Sequence, residues 1–253
     1  MLDPGRAARH LDLRLHPPQE GLSPWVHHHW FIDWNVVEPY TQSVLGRPCA
    51  NVVVDGGRLM LTGPQTHRFD RDVEGRGSVY GTQLWPASLQ PFVDRPIKTY
   101  VDQRVDIGSL WGVDAADLEG RLREAPDDVQ RVQLLTQLIS AQHPARPDEM
   151  AEANQVVRHL EGHPDITKVS QLSEATGLGT RSLQRLLSTW VGMGPKQLIR
   201  RFRLQEASAR IAEGQAVDLT ELAYALGYAD QAHFSRDFKR LVGVPPSSYA
   251  ARQ

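Results

Sequence analysis

Two stretches near the end of this chain follow one frame. VSQLSEATGLGTRSLQRLLSTWVG runs from Val169 to Gly192, and LTELAYALGYADQAHFSRDFKRLVG from Leu219 to Gly243. Leu172, Ala175 and Gly177 stand fifty positions before Leu222, Ala225 and Gly227; after one extra residue, Arg185 and Gly192 match Arg236 and Gly243. Each copy has room for a helix, a glycine turn and a second helix, which limits it to a helix-turn-helix. That motif lays its second helix in a DNA groove. Two copies make sequence-specific DNA binding the first expectation.

Each copy also reads physically. Asp218 with Glu221 three residues later fits a capping box, so a helix starts at Leu219. Leu219, Leu222, Ala223 and Leu226 recur on one face, and Gly227 ends the helix in a left-handed cap. Asp230 caps a second helix that turns Phe234, Phe238 and Leu241 inward and shows Gln231, Ser235, Arg236 and Lys239 on the other face. In the first copy Thr180 is the expected cap; Leu183, Leu186, Leu187 and Val191 turn in, and Arg181, Gln184 and Arg185 turn out. Arginine suits guanine and glutamine suits adenine in the major groove. For any one of these residues, ordinary helix solvation is an equal account; the repeated frame favours the set as readers.

Between the copies, Pro195–Glu213 reads as one helix, with Pro195 in its first turn and Gly214 past its end. Nineteen helical residues span roughly 28 Å. Paired readers sit roughly 34 Å apart along DNA, so this rod can hold two of them over neighbouring major grooves.

From about Asp148 onward the chain resembles the DNA-binding domain of AraC/XylS-type transcription regulators. The carrying pieces are SLQRLL, RRFRLQEA and the closing LAYALGYADQAHFSRDFKRLVGVPPSSYAAR. The resemblance implies a seven-helix domain, with a leading helix near Met150–Leu160 and recognition helices near Thr180–Val191 and Asp230–Val242. It also implies base contact by Arg181, Gln184, Arg185, Gln231, Ser235 and Arg236.

Charge divides the chain in the same place. Residues 166–253 carry 12 basic and 7 acidic side chains, while the preceding 165 carry 16 and 23. The positive end coincides with the repeated frame, as phosphate binding requires. No apolar run approaches the roughly 20 residues of a membrane span, and the start has no signal-peptide character, so a cytoplasmic chain is expected. Arginine outnumbers lysine 24 to 4, which points to a GC-rich bacterial genome.

The front half reads as strands: Leu11–His16, Trp25–Trp34, Asn51–Gly63 with a hairpin at Asp55-Gly56-Gly57, and Ser78–Trp85. Helix follows from Asp114, including one led by Pro126 with Val129, Val132, Leu135, Leu138 and Ile139 on one face. HPARP at His143–Pro147 breaks that pattern. The expected fold is α+β: a β-rich domain with trailing helices over 1–142, a linker over 143–147, and an all-α domain with two helix-turn-helix motifs over 148–253. RPCANVVVDGG, GPQTHRF, GRGSVYGTQLWP and DIGSLWG resemble the amino-terminal domains of one branch of the same family. That implies a cupin-like β-barrel which senses a small molecule or dimerises.

The tryptophans at 25, 30, 34, 85 and 111 could line a pocket, although core packing explains them better. His27 and His29 would share one side of a strand, and Gly21 precedes His27 by six positions, partly as in a cupin metal motif. No glutamate follows at the required spacing; Asp33, His67 and Cys49 are the remaining donors, so no metal and no cofactor are expected. Gly75, Gly77 and Gly81 lie among strands with no helix behind them, which excludes a dinucleotide fingerprint. The chain reads as no enzyme. Its expected partners are double-stranded DNA, a small-molecule effector, RNA polymerase and a second copy. The alternative is a cupin-like metal-dependent enzyme fused to a DNA-binding domain, which bound metal and turnover would reveal.

Overall fold

Asp55 pairs with Arg58 across a turn whose two residues, Gly56 and Gly57, have φ of 57° and 72°. Consecutive left-handed residues make the tight turn that matches strand twist, and glycine adopts it without strain. The computed structural model describes residues 7–213 and 218–251. The front half holds β1 (Leu11–His16), β2 (Val26–Val44), β3 (Asn51–Asp55), β4 (Arg58–Thr62), β5 (Phe69–Leu84) and β6 (Arg104–Asp106). They form one antiparallel sheet in the order β1-β2-β5-β3-β4-β6. Helices α1 (Gly108–Trp111), α2 (Ala115–Glu124) and α3 (Asp128–Ser140) follow.

The α+β arrangement is the one expected, with two strands longer than the sequence reading. β2 runs past Trp34 to Val44, and β5 starts at Phe69. Pro39 lies where the β2–β5 register shifts between Val36 and Tyr40, so its missing N–H costs no ladder bond. The trailing helix starts at Asp128 with Asp127 as its cap, and its Val129 faces solvent at 66% exposure, so Val129 leaves the apolar face.

One face of the sheet packs on α2 and α3. Phe31, Val52, Val54, Leu59 and Tyr80 meet Leu118, Leu122, Leu135 and Ile139 there. The other face carries Trp30 and Trp34 directly opposite Gly81 and Gly77. A Cβ at Gly81 would lie 2.2 Å from the Trp30 ring, and one at Gly77 2.3 Å from Trp34. These glycines are therefore floors for two indoles. The indole N–H groups donate to Asn51 Oδ1 at 3.1 Å and to the Glu74 carbonyl at 3.2 Å.

The back half is helical: α4 (Asp148–Gly162), α5 (Val169–Thr176), α6 (Thr180–Trp190), α7 (Pro195–Ala212), α8 (Leu219–Ala225), α9 (Gln231–Val242) and α10 (Pro246–Ala250). Gly214, expected just past the end of α7, lies outside the described residues. α7 belongs to two cores. Leu198, Ile199 and Phe202 pack with α4, α5 and α6, while Leu204, Ala207 and Ile211 pack with α8, α9 and α10. Its 18 residues make a rod of about 27 Å with a helix-turn-helix at each end.

Candidate nucleic-acid interface

Each copy of the repeated frame builds the same corner. After α5, Gly177 takes φ 70°; after α8, Gly227 takes φ 71°. The second helix of each pair also ends on a left-handed glycine, Gly192 at 75° and Gly243 at 88°. All four stand where the repeat aligned them.

The starts differ in detail. The Asp218 carboxylate accepts from the backbone N–H of Thr220 at 2.7 Å and of Glu221 at 3.3 Å. Asp230 accepts from His233 N–H at 2.6 Å, as its capping role requires. α5 starts where Gln171 reaches back to accept from the Lys168 N–H at 2.9 Å. Thr180 is the first residue inside α6, and Gly179 holds the cap position with no side-chain bond. The cap thus falls one residue before the expected Thr180, because glycine also tolerates the extended cap conformation.

α6 and α9 are strongly two-faced. Leu183, Leu186 and Leu187 are buried on one, Phe234, Phe238 and Leu241 on the other. Arg181, Gln184 and Arg185 are exposed on α6; Gln231, Arg236 and Lys239 are exposed and Ser235 half-buried on α9. Gln184 Nε2 donates to Ser188 Oγ at 2.9 Å, and Gln231 Oε1 accepts from Thr220 Oγ1 at 3.2 Å. Among the described residues no ion pair engages Arg181, Arg185, Arg236 or Lys239. Four cations on two helix faces are therefore free for an external anion.

Under the second of these helices lies a polar knot that the sequence reading missed. Asp237 is 6% exposed, with Arg240 at 3.5 Å, His233 at 3.7 Å and Arg200 at 3.8 Å. The Tyr228 hydroxyl donates to it at 3.5 Å, and burial pushes that phenol up to about 12. Arg203, whose pKa burial lowers, stacks its guanidinium 4.3 Å from the Tyr228 ring centre. An acid between Phe234 and Phe238 on an apolar face was the available signal.

The sheet half is tied to both helix-turn-helix units. Arg68 Nη1 donates to the Val242 carbonyl at 2.9 Å, and the Arg68 backbone N–H to the Leu241 carbonyl at 3.2 Å. Asn154 on α4 accepts from Ala87 N–H at 2.9 Å and donates to Ser88 Oγ at 3.0 Å, in a buried site. Arg47 pairs with Glu161 at 2.6 Å, and Trp25 Nε1 donates to the Ala145 carbonyl at 2.9 Å. A Cβ on Gly192 would meet Val101 at 2.8 Å and Ile97 at 3.0 Å.

The histidine run takes a different course from simple alternation. The β2–β5 register shifts between Val26 and His28. His27 then contacts His28 and Arg47, while His29 is buried and its Nδ1 lies 2.9 Å from Thr82 Oγ1. Burial holds all three rings down at about 4. Cys49 is buried, its thiol pushed up to about 12. Among the described residues no three His, Cys, Asp or Glu side chains converge as a metal site, and no helix is long and apolar enough to cross a membrane.

Comparison with known proteins points to the same elements. A family model described as a helix-turn-helix domain matches residues 172–252, and one described as a domain of unknown function (DUF6597) matches residues 14–106. An AraC-like transcription regulator named from Streptomyces lividans is 31% identical over 81 residues, 32% of this chain and 26% of that one. The HTH-type transcriptional activator RhaS of Pectobacterium carotovorum is 34% identical over 77 residues, 30% of this chain and 27% of the relative. A solved structure of ToxT from Vibrio cholerae aligns over 96% of this chain and 98% of that one, at 12% identity and a TM-score of 0.44. The chain spans about a quarter of the length of the first curated relatives it matches. Residues 172–252, with their two matched corners and exposed second helices, are a helix-turn-helix domain similar to those of AraC-like transcription regulators.

Proposed function

We propose that the chain is a sequence-specific DNA-binding transcription regulator. The observation that carries this reading is the pair of free cationic faces, at the two ends of one rigid helix. Arg181, Gln184 and Arg185 read one major-groove segment; Gln231, Ser235, Arg236 and Lys239 read the next. Arg181, Gln184 and Arg185 in the first half of α6, and Gln231 and Arg236 in the first half of α9, are the base-reading members, and Lys239 in the last turns of α9 suits a phosphate.

In this reading residues 1–142 form a control domain, 143–147 a linker and 148–253 the DNA-binding domain. Control acts through a small effector or a second copy of the chain, in the cytoplasm, with RNA polymerase as the downstream partner. No enzymatic step, metal or cofactor is needed. The partnering of His29 with Thr82, and of His27 with His28 and Arg47, argues against the metal-dependent enzyme alternative.

Selection of bound duplexes from a random pool, followed by footprinting, tests the reading. The expected footprint has two protected major-groove segments, about one turn apart, on a site without dyad symmetry. An inverted repeat with each half read by a single helix would leave only one motif in use. No selected sequence at all would refute the proposal.

A further inference from the structure

Where α7, α9 and the sheet half meet, the surface folds into a small cleft. Thr66 lines it from the sheet half, Gln197, Arg200 and Arg201 from α7, and Asp237 and Arg240 from α9. Arg201 is 3% exposed. Its Nη2 donates to the Gly46 carbonyl, which Gln205 Nε2 also reaches at 3.1 Å. Its Nε and Nη1 have no hydrogen-bond partner among the described residues.

A buried guanidinium with two unmet donors is costly, since both charge and N–H groups have lost water. Here burial lowers Arg201 to about 10. The neighbouring acids are engaged elsewhere. Asp237 faces Arg200, Arg240 and His233, and both oxygens of Asp102 accept from Thr66, at 2.6 Å each from its N–H and its hydroxyl. The lining thus holds three guanidinium groups and an amide against one carboxylate, while Thr66 gives both of its donors to Asp102. Such a set of donors suits oxygen-bearing anions.

We propose that this cleft binds a small oxyanion, with Arg201 as its buried anchor and Arg200, Arg240 and Gln197 around it. The anion is free phosphate or sulfate, or the terminal phosphate or carboxylate of a small metabolite. Because the walls come from the sheet half, the connecting helix and the second reader, an occupant fixes α9 relative to the sheet. It also competes with Asp237 for Arg240. That consequence for DNA reading rests on the regulator assignment; the binding itself does not.

The test uses the full chain in an oxyanion-free chloride buffer, with inorganic phosphate, sulfate and acetate as probes and sodium chloride as the ionic-strength control. Calorimetry and thermal melting should show saturable binding by at least one probe, beyond the chloride control. The phosphate and acetate arms separate a phosphate group from a carboxylate. Arg201→Met should abolish binding, and Arg240→Ala, on a more exposed wall, should weaken it by roughly tenfold. If Arg201→Met fails to fold, Arg240→Ala and Gln197→Ala still decide. Absence of saturable binding by all three probes, or binding unchanged in the variants, overturns the site. A chain that binds the anion but reads no DNA upholds the site and refutes the regulator reading. A chain that reads DNA but binds no anion does the reverse.

Discussion

The guanidinium of Arg68 donates to the Val242 carbonyl at 2.9 Å and occupies the space where a Cβ on Gly243 would stand, 2.6 Å from that position. A side chain of the sheet half thereby closes the last turn of α9, where backbone carbonyls lack partners and the helix dipole favours a cation. Arg68→Ala should leave the fold intact and loosen this end. A charged hydrogen bond of this kind is worth about 1.5–3 kcal/mol. In footprinting, protection by α9 should weaken while protection by α6 persists; equal loss at both segments would refute the tie.

Arg185→Ala and Arg236→Ala should each weaken specific binding far more than binding to random duplex. Both occupy one place in the repeated frame, on an exposed helix face. Loss of a bidentate base contact costs about 1–3 kcal/mol, roughly 5- to 150-fold. Competition titrations against random DNA measure the difference. Equal weakening would mark both as phosphate contacts.

The two corner glycines offer a matched pair. Gly177 and Gly227 share the same φ, yet a Cβ at Gly177 meets open space while one at Gly227 lies 2.6 Å from Thr167 Cγ2. Gly177→Ala should cost about 1 kcal/mol from backbone strain alone. Gly227→Ala should cost more, by the shift it forces on Thr167. Urea unfolding of the two variants compares them directly, and equal losses would show that Thr167 yields freely.

Acid should destabilise the chain from about pH 6.5 downward. His29 is held near 4 by burial, against 6.5 when exposed. Between those values the unfolded chain binds a proton that the folded chain does not, so stability falls as pH drops through the window and levels below it. For His29 alone the effect reaches roughly 3 kcal/mol. His29→Gln, which keeps a partner for Thr82, should flatten the melting-temperature profile over this range; an unchanged slope would assign the loss to other groups.

A chain beginning near Asp148 should fold and select the same sequence with lower affinity. It keeps both corners and α7 but loses the Asn154 bonds to Ala87 and Ser88 and the Arg68 tie. Its melting point should fall by several degrees. A folded fragment that reads a different sequence would refute the division at 143–147.

The corners were legible because their causes are local. A glycine after an apolar periodic run, and Asp before the next one, specify a stop and a start within a few residues. Gly179 in place of Thr180 as the cap is a one-residue slip of the kind that two adjacent cap-tolerant residues invite. Val129 shares the 3.6-residue period of the apolar face yet stands in the first turn of α3 at 66% exposure, so periodicity alone does not mark where burial begins. The seam was not legible at all. Arg68 meets Val242 across 174 positions and Arg201 meets Gly46 across 155, and neither arginine carries a pattern that a linear reading can detect.

The tie between Arg68 and Val242 bears on how such proteins can be recombined. A hybrid joined at the Pro-flanked stretch over 143–147 sets a foreign loop against the last turn of α9. The loop is itself constrained, since a Cβ on Gly63 would collide with the Tyr100 carbonyl at 1.8 Å. Working chimeras therefore need the segment from 63 to 68 grafted together with the helix it was matched to, as a second, hidden junction.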